Sequence, residues 1–239
     1  MRPKQVDLPG AEAKLGYAFS NRRLGEIALD PSVRGFSRLE FLGDSILGVA
    51  IFTMAESAEF PRPQAQNLVS NQRFRQLFES TFAAHSPGNT GDVVEALVGA
   101  VYLDGGFDHA ASIISRVIEP QFGQFDQASL SAKAGTMQDR GLMRIGAHVT
   151  SAVIADHLCT SMPNETHEVY SKERSRLMRT ERLAQRSRDL GLATAGERIR
   201  PKSKRDAVHA DVLDAHVARL FLRRGWHAAK PDISGLIGL

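Results

Sequence analysis

A single cysteine, Cys159, stands in 239 residues, which excludes an internal disulfide and fits a reducing compartment. No apolar run approaches the roughly 18 residues that a membrane span needs, so no membrane partner is expected. The opening MRPKQVDLPGAEAK does not resemble a secretory signal peptide. No segment alternates strictly between apolar and polar residues, so no strands are predicted. The eight histidines show no metal-ligand spacing, and Gly43-Asp44-Ser45 lacks the flanking glycines of a nucleophile elbow. What remains is an all-α intracellular chain, of the cytoplasm or of an organelle such as the mitochondrion.

What the sequence does contain is acidic pairs inside apolar helical runs. In Arg38-Leu39-Glu40-Phe41-Leu42-Gly43-Asp44-Ser45, Glu40 and Asp44 sit at i and i+4 and share one helix face. In Asp92-Val93-Val94-Glu95, the i, i+3 spacing does the same. An isolated pair of this kind is ordinarily a solvated face. Here Phe41, Leu42, Ile46, Leu47, Val94, Leu97, Val98 and Val101 surround the acids, so both helices read as buried, and buried carboxylates need partners. Two such helices packed together make a four-carboxylate cluster, whose mutual repulsion a divalent cation relieves. Oxygen donors without His or Cys indicate Mg²⁺, with Mn²⁺ as the alternative, and the chemistry implied is metal-assisted phosphodiester hydrolysis.

The motifs resemble those of a known family. RLEFLGDSILG at 38–48 is similar to the signature of the ribonuclease III family, and DVVEALVGAVYLDGGF at 92–107 is similar to its second catalytic helix, in the family's order. LGYAF at 15–19 and LVSN at 68–71 also resemble family segments, so the likeness spans about residues 12 to 120. The resemblance implies an all-helical nuclease domain that cleaves double-stranded RNA with Mg²⁺, with Glu40, Asp44, Asp92 and Glu95 as catalytic and metal residues. The chain departs from the family in having only QRFRQLFESTFAAHSPGNTG between LVSN and Asp92, and no separate double-stranded-RNA-binding domain is expected.

The two halves differ in charge. Residues 1–130 carry 11 Lys and Arg against 15 Asp and Glu, a net of −4; residues 131–239 carry 19 against 12, a net of +7. The second half also reads as a degenerate repeat of the first. RIGAHVTSAVIADHLCTSMP (144–163) aligns with FLGDSILGVAIFTMAESAEFP (41–61), LMRTERLAQ (177–185) with LVSNQRFRQ (68–76), and DVLDAHVARLFLRRGW (211–226) with DVVEALVGAVYLDGGF (92–107). Met143 or a neighbour then replaces Glu40, and Ala147 replaces Asp44, while Asp211 and Asp214 keep the second pair in altered form. Half a metal site is too little for catalysis, and Asp211 and Asp214 are expected to pair with arginine or to face solvent. Trp226 takes the place of Phe107 as a core anchor.

The expected organisation is a catalytic domain over 1–122, a linker over 123–139 and a degenerate domain over 140–239, packed as an intramolecular pseudo-dimer with one active site per chain. Helices are predicted near 11–18, 22–30, 37–58, 63–83, 91–104, 107–122, 142–161, 168–190 and 204–225. Double-stranded RNA is the expected partner, bound through phosphates and 2′-hydroxyls. Arg198, Arg200, Lys202, Lys204 and Arg205, read as a loop, are the leading contacts; of Arg174, Arg176, Arg179, Arg182, Arg186 and Arg188 only some can face RNA. The alternatives are a non-catalytic subunit of a ribosome or RNA-processing complex, and a catalytic subunit that works with another nuclease subunit.

Overall fold

The computed structural model describes residues 7–59, 66, 76, 90–122, 137, 139–192 and 202–239. All regular structure among them is helical, with no strand, and no described helix is long and apolar enough to cross a membrane. The predicted helix over 63–83 and most of the predicted linker over 123–139 lie outside the described residues. Two compact units emerge, one of Met1–Phe125 with Ser161–Glu168 and one of Asp126–Thr160 with Val169–Leu239.

The first unit begins with α1 (Leu8–Leu15) and α2 (Arg22–Ala28). Helix α1 starts earlier than predicted because the Asp7 carboxylate accepts the Gly10 amide at 2.9 Å, with Pro9 in the first turn, and Gly16 closes it in the left-handed conformation. Helix α3 (Phe36–Ser57) is the centre: sixteen of its 22 residues are buried, as its apolar run on every side requires. It packs against α4 (Thr90–Gly105), α5 (Phe107–Phe122) and α2. Helix α5 is amphipathic, burying Ala110, Ala111, Ile114, Val117 and Ile118 while Asp108, His109, Ser112 and Arg116 face outward.

Close approach of α3 and α4 is what glycine permits. A Cβ on Gly43 would overlap the Glu95 carbonyl, and a Cβ on Gly99 would overlap the Leu39 carbonyl and lie 3.1 Å from the Gly43 nitrogen. Each helix presents bare backbone to the other. At the far end of α4, Gly106 turns the chain at φ 85°, and the Asp104 carboxylate accepts the Ser20 amide at 2.8 Å, the Asn21 amide at 2.7 Å and the Tyr17 hydroxyl at 2.8 Å. Desolvation opposes ionisation of Asp104, but these hydrogen bonds outweigh it and hold the group below the usual carboxylate range. The α1–α2 connection is thereby fixed to the end of α4.

The second unit is built on α6 (Asp139–Ser161), α7 (His167–Leu177), α8 (Thr180–Asp189) and α9 (Lys202–Ile237), except that Ser161 and the first two residues of α7 group with the first unit. Three boundaries differ from expectation. The predicted helix over 168–190 is two helices, because Arg179 is extended (φ −56°, ψ 130°) and the Arg182 guanidinium donates to the Leu177 carbonyl at 2.9 Å, closing the last turn of α7. Helix α9 starts at Lys202, so Lys202, Lys204 and Arg205 belong to its opening rather than to a loop. It also continues to Ile237, broken at Gly225 (φ 71°, ψ 171°). After that break Trp226 is buried and lies edge-on to Phe221 at 6.2 Å. Here too a glycine allows close contact: a Cβ on Gly146 of α6 would overlap the Asp214 carbonyl of α9.

Gly43→Ala should therefore force α3 and α4 apart and destabilise the protein by about 1–3 kcal/mol or more. Gly235→Ala, at a helical position with nothing within 4 Å, should stabilise it by about 0.5–1 kcal/mol. Urea denaturation of the two variants checks the pair, and equal midpoints would contradict the packing at Gly43.

Candidate metal centre

Helix α3 carries Glu40 and Asp44 one turn apart, and the first turns of α4 carry Asp92 and Glu95. Because the backbones meet at Gly43, Glu95 and Gly99, the two acidic faces meet at the same level. One carboxylate oxygen from each of Glu40, Asp92 and Glu95 lies within 4.8 Å of the others. Glu95 is buried, and Glu40 and Asp92 are half-buried. Asp44 is not part of this close set, although its charge reaches it: burial first, then Asp92 and Asp44, push the Glu40 carboxyl up to about 7.

Two full charges about 5 Å apart repel by about 3 kcal/mol at an effective dielectric near 20. A fully ionised triad is thus unfavourable without compensation, and the raised Glu40 is one way the repulsion is relieved. A cation is the other. The donor set, three carboxylate oxygens without nitrogen or sulfur, fits a hard divalent ion such as Mg²⁺ or Mn²⁺ and does not resemble a zinc site. Among the described residues this is the cluster that meets the spacing for a metal.

The corresponding place in the second unit is built differently. Asp214 is 8% exposed and accepts the Thr150 hydroxyl at 3.0 Å. Desolvation, opposed by that hydrogen bond and aided by Asp211, pushes its carboxyl up to about 7. Asp211 is exposed, and partial desolvation raises its carboxyl as well. The expectation of an arginine partner or solvation therefore holds for Asp211 only as exposure and fails for Asp214, because α9 turns Asp214 inward against Thr150 of α6.

Of the expected RNA contacts, Arg198 and Arg200 lie outside the described residues, Lys202 and Lys204 fall in the first turn of α9, and Arg205 is half-buried. The arginines of α7 and α8 divide by role. Arg188 pairs with Asp206 at 2.8 Å, Arg176 with Glu173 at 2.7 Å, and Arg182 and Arg186 hold backbone carbonyls. Two contributors escaped the sequence reading. The glycines of the α3–α4 crossing were noticeable as helix-breaking residues in the middle of buried helices. Thr150 carried no signal of its own.

Similarity to known proteins agrees with this arrangement. The chain is 31% identical over 157 residues to ribonuclease 3 of Cupriavidus taiwanensis, covering 55% of this chain and 61% of that protein. It is 31% identical over 157 residues to ribonuclease 3 of Ralstonia pickettii, with the same coverage. The chain is related to the ribonuclease III family. Ribonuclease 3 of Methylocella silvestris is 32% identical over 142 residues, covering 48% of this chain and 60% of its own length. The chain thus spans about three fifths of the length of the ribonuclease III relatives it matches. No family model matches it.

The inward Asp214 has a pH signature. Its carboxyl titrates near 7 when folded and near 3.9 when unfolded, so between those values the folded state binds more protons and stability falls as pH rises. Asp214→Asn should remove that fall, its urea midpoint gaining on the wild type from pH 4 to pH 8. A difference between the two proteins that stays constant with pH would contradict the buried acid.

Proposed function

We propose that the chain is a Mg²⁺-dependent endoribonuclease that hydrolyses phosphodiester bonds in double-stranded RNA during RNA processing, with one active site per chain. The observation that carries this reading is the convergence of Glu40, Asp92 and Glu95 within 4.8 Å, in a chain related to proteins named ribonuclease 3. Glu40, Asp92 and Glu95 would hold the cation, with Asp44 adding negative charge at its edge. A cation bound there supplies Lewis-acid activation of the phosphodiester and of the attacking water. The protein's own part is to keep the acids fixed on two helices that cannot slide, since their backbones are in contact. With its carboxyl pushed up to about 7, Glu40 shares its proton with solvent near neutral pH, and a cation that compensates the triad would draw that proton off, so binding and deprotonation are linked.

The same proposal reads residues 1–122 as the catalytic domain and 140–239 as a degenerate copy joined by 123–139, the two forming a pseudo-dimer. Features inside each unit support the copy. Gly43 meets the Glu95 carbonyl as Gly146 meets the Asp214 carbonyl. Gly106 (φ 85°) precedes buried Phe107 as Gly225 (φ 71°) precedes buried Trp226, and in each case a helix follows. Asp214 is bonded to Thr150, and among the described residues of the copy no cluster of three acids or histidines meets the spacing for a cation, which supports a single site.

The test is Mg²⁺-dependent cleavage of a long labelled RNA duplex by the purified chain. Glu95→Gln should lower the rate on the order of 100-fold or more, Asp211→Asn should leave it unchanged, and single-strand nicks should precede double-strand breaks. Binding without cleavage in Mg²⁺ or Mn²⁺ would favour instead a non-catalytic subunit of a ribosome or RNA-processing assembly. Cleavage that appears only with a second nuclease subunit would make the chain half of a heterodimer.

A further inference from the structure

The arginines of α7 and α8 form a cluster that capping alone does not explain. Arg182 donates to the Gly238 carbonyl at 3.0 Å as well as to Leu177. Arg186 donates through Nε to the Leu236 carbonyl at 3.1 Å and through Nη2 to the Gly235 carbonyl at 2.8 Å. Both guanidiniums are thus held on one stretch, residues 235–238, at the end of α9. A guanidinium has five N–H donors, so each keeps donors beyond those it spends on carbonyls. Arg176 stands next to Leu177, whose carbonyl Arg182 holds, so it shares this helix end; desolvation, then the positive charges of Arg176 and Arg186, make the Arg182 proton easier to lose.

Three guanidiniums in one place exceed what two helix ends require. Each helix C-terminus is worth about half a negative charge, and Glu173 adds one against Arg176. Exposed Arg179, between the two helices, adds a further positive charge. Along Val169–Leu192, seven Lys and Arg stand against three Asp and Glu, a net of +4. Neutral carbonyls fix Arg182 and Arg186 in position without cancelling their charge. Anchored, uncancelled guanidiniums suit a phosphodiester, which accepts two N–H donors from one arginine and carries the negative charge the cluster lacks.

We propose that Arg176, Arg182 and Arg186, with Arg179 beside them, form a clamp for the phosphate backbone of RNA. The inference rests on the reading of RNA as the substrate and names where the second unit grips it. The contact is blind to base sequence, as phosphate contacts are. It is also distinct from the basic stretch 198–205 that the sequence singles out.

The experiment is an anisotropy titration of a labelled RNA duplex with the full chain in EDTA, where binding is read without cleavage, from 50 to 200 mM salt. Removing one phosphate contact should reduce the slope of log affinity against log salt by about 0.9. Arg182→Gln and Arg186→Gln also release backbone carbonyls, so circular dichroism accompanies each variant. Arg176→Gln removes only a surface pair with Glu173 and is the decisive variant, expected to weaken binding several-fold and to flatten the slope. Arg23→Gln, an exposed arginine paired with Glu26 in the first unit, should change neither. Arg176→Gln with a native spectrum and the wild-type affinity and slope would overturn the clamp, as would a wild-type chain that binds poly-glutamate but not RNA. Binding that depends on these arginines without any cleavage would overturn the nuclease reading alone.

Discussion

The backbones of α3 and α4 touch, and the candidate metal centre follows from that contact. Helix axes ordinarily stand 8–10 Å apart because side chains separate them. At Gly43 and Gly99 there is no side chain to do so, and a methyl group on either would overlap a carbonyl of the other helix. The crossing fixes the rotation and level of both helices, and Glu40, Asp92 and Glu95 sit within one or two turns of it. Such proximity of like charges is unfavourable, and the apolar burial of α3 offsets it. The tight crossing and the raised Glu40 carboxyl are two consequences of one geometry.

The second unit has a similar close crossing but, among its described residues, no three-carboxylate cluster. Gly146 still meets the Asp214 carbonyl, but Met143 and Ala147 align with Glu40 and Asp44, and Asp214 turns to the hydroxyl of Thr150. Burial pushes the Asp214 carboxyl up to about 7 against the Thr150 hydrogen bond, and Asp211 adds to the rise. Positive charge in this unit gathers elsewhere, at the end of α9, where Arg182 and Arg186 are fixed by carbonyls. The first unit thus concentrates negative charge at the α3–α4 crossing, and the second concentrates positive charge at the end of α9.

Much of this was legible in the residues. The all-helical fold and the long helices around the acidic pairs followed from apolar periodicity without alternation, and the i, i+4 and i, i+3 spacings placed Glu40, Asp44, Asp92 and Glu95 on shared faces. Periodicity could not say which three acids meet most closely, because the rotation of α3 on α4 depends on contacts at Gly43 and Gly99 that span half the first unit. Nor could it find the break at Arg179, since no glycine or proline marks it and the tertiary contact from Arg182 to Leu177 stabilises it. The inward turn of Asp214 was hidden for the same reason: its partner Thr150 is 64 residues away.

The central claim is that the α3–α4 crossing builds one cation site and that its counterpart on α6 and α9 does not. Crystals of the chain grown with Mn²⁺ and measured at the manganese absorption edge test it directly. The account predicts an anomalous peak bounded by the carboxylates of Glu40, Asp92 and Glu95, and none beside Asp211 and Asp214. No peak at the first position, or equal peaks at both, would contradict it.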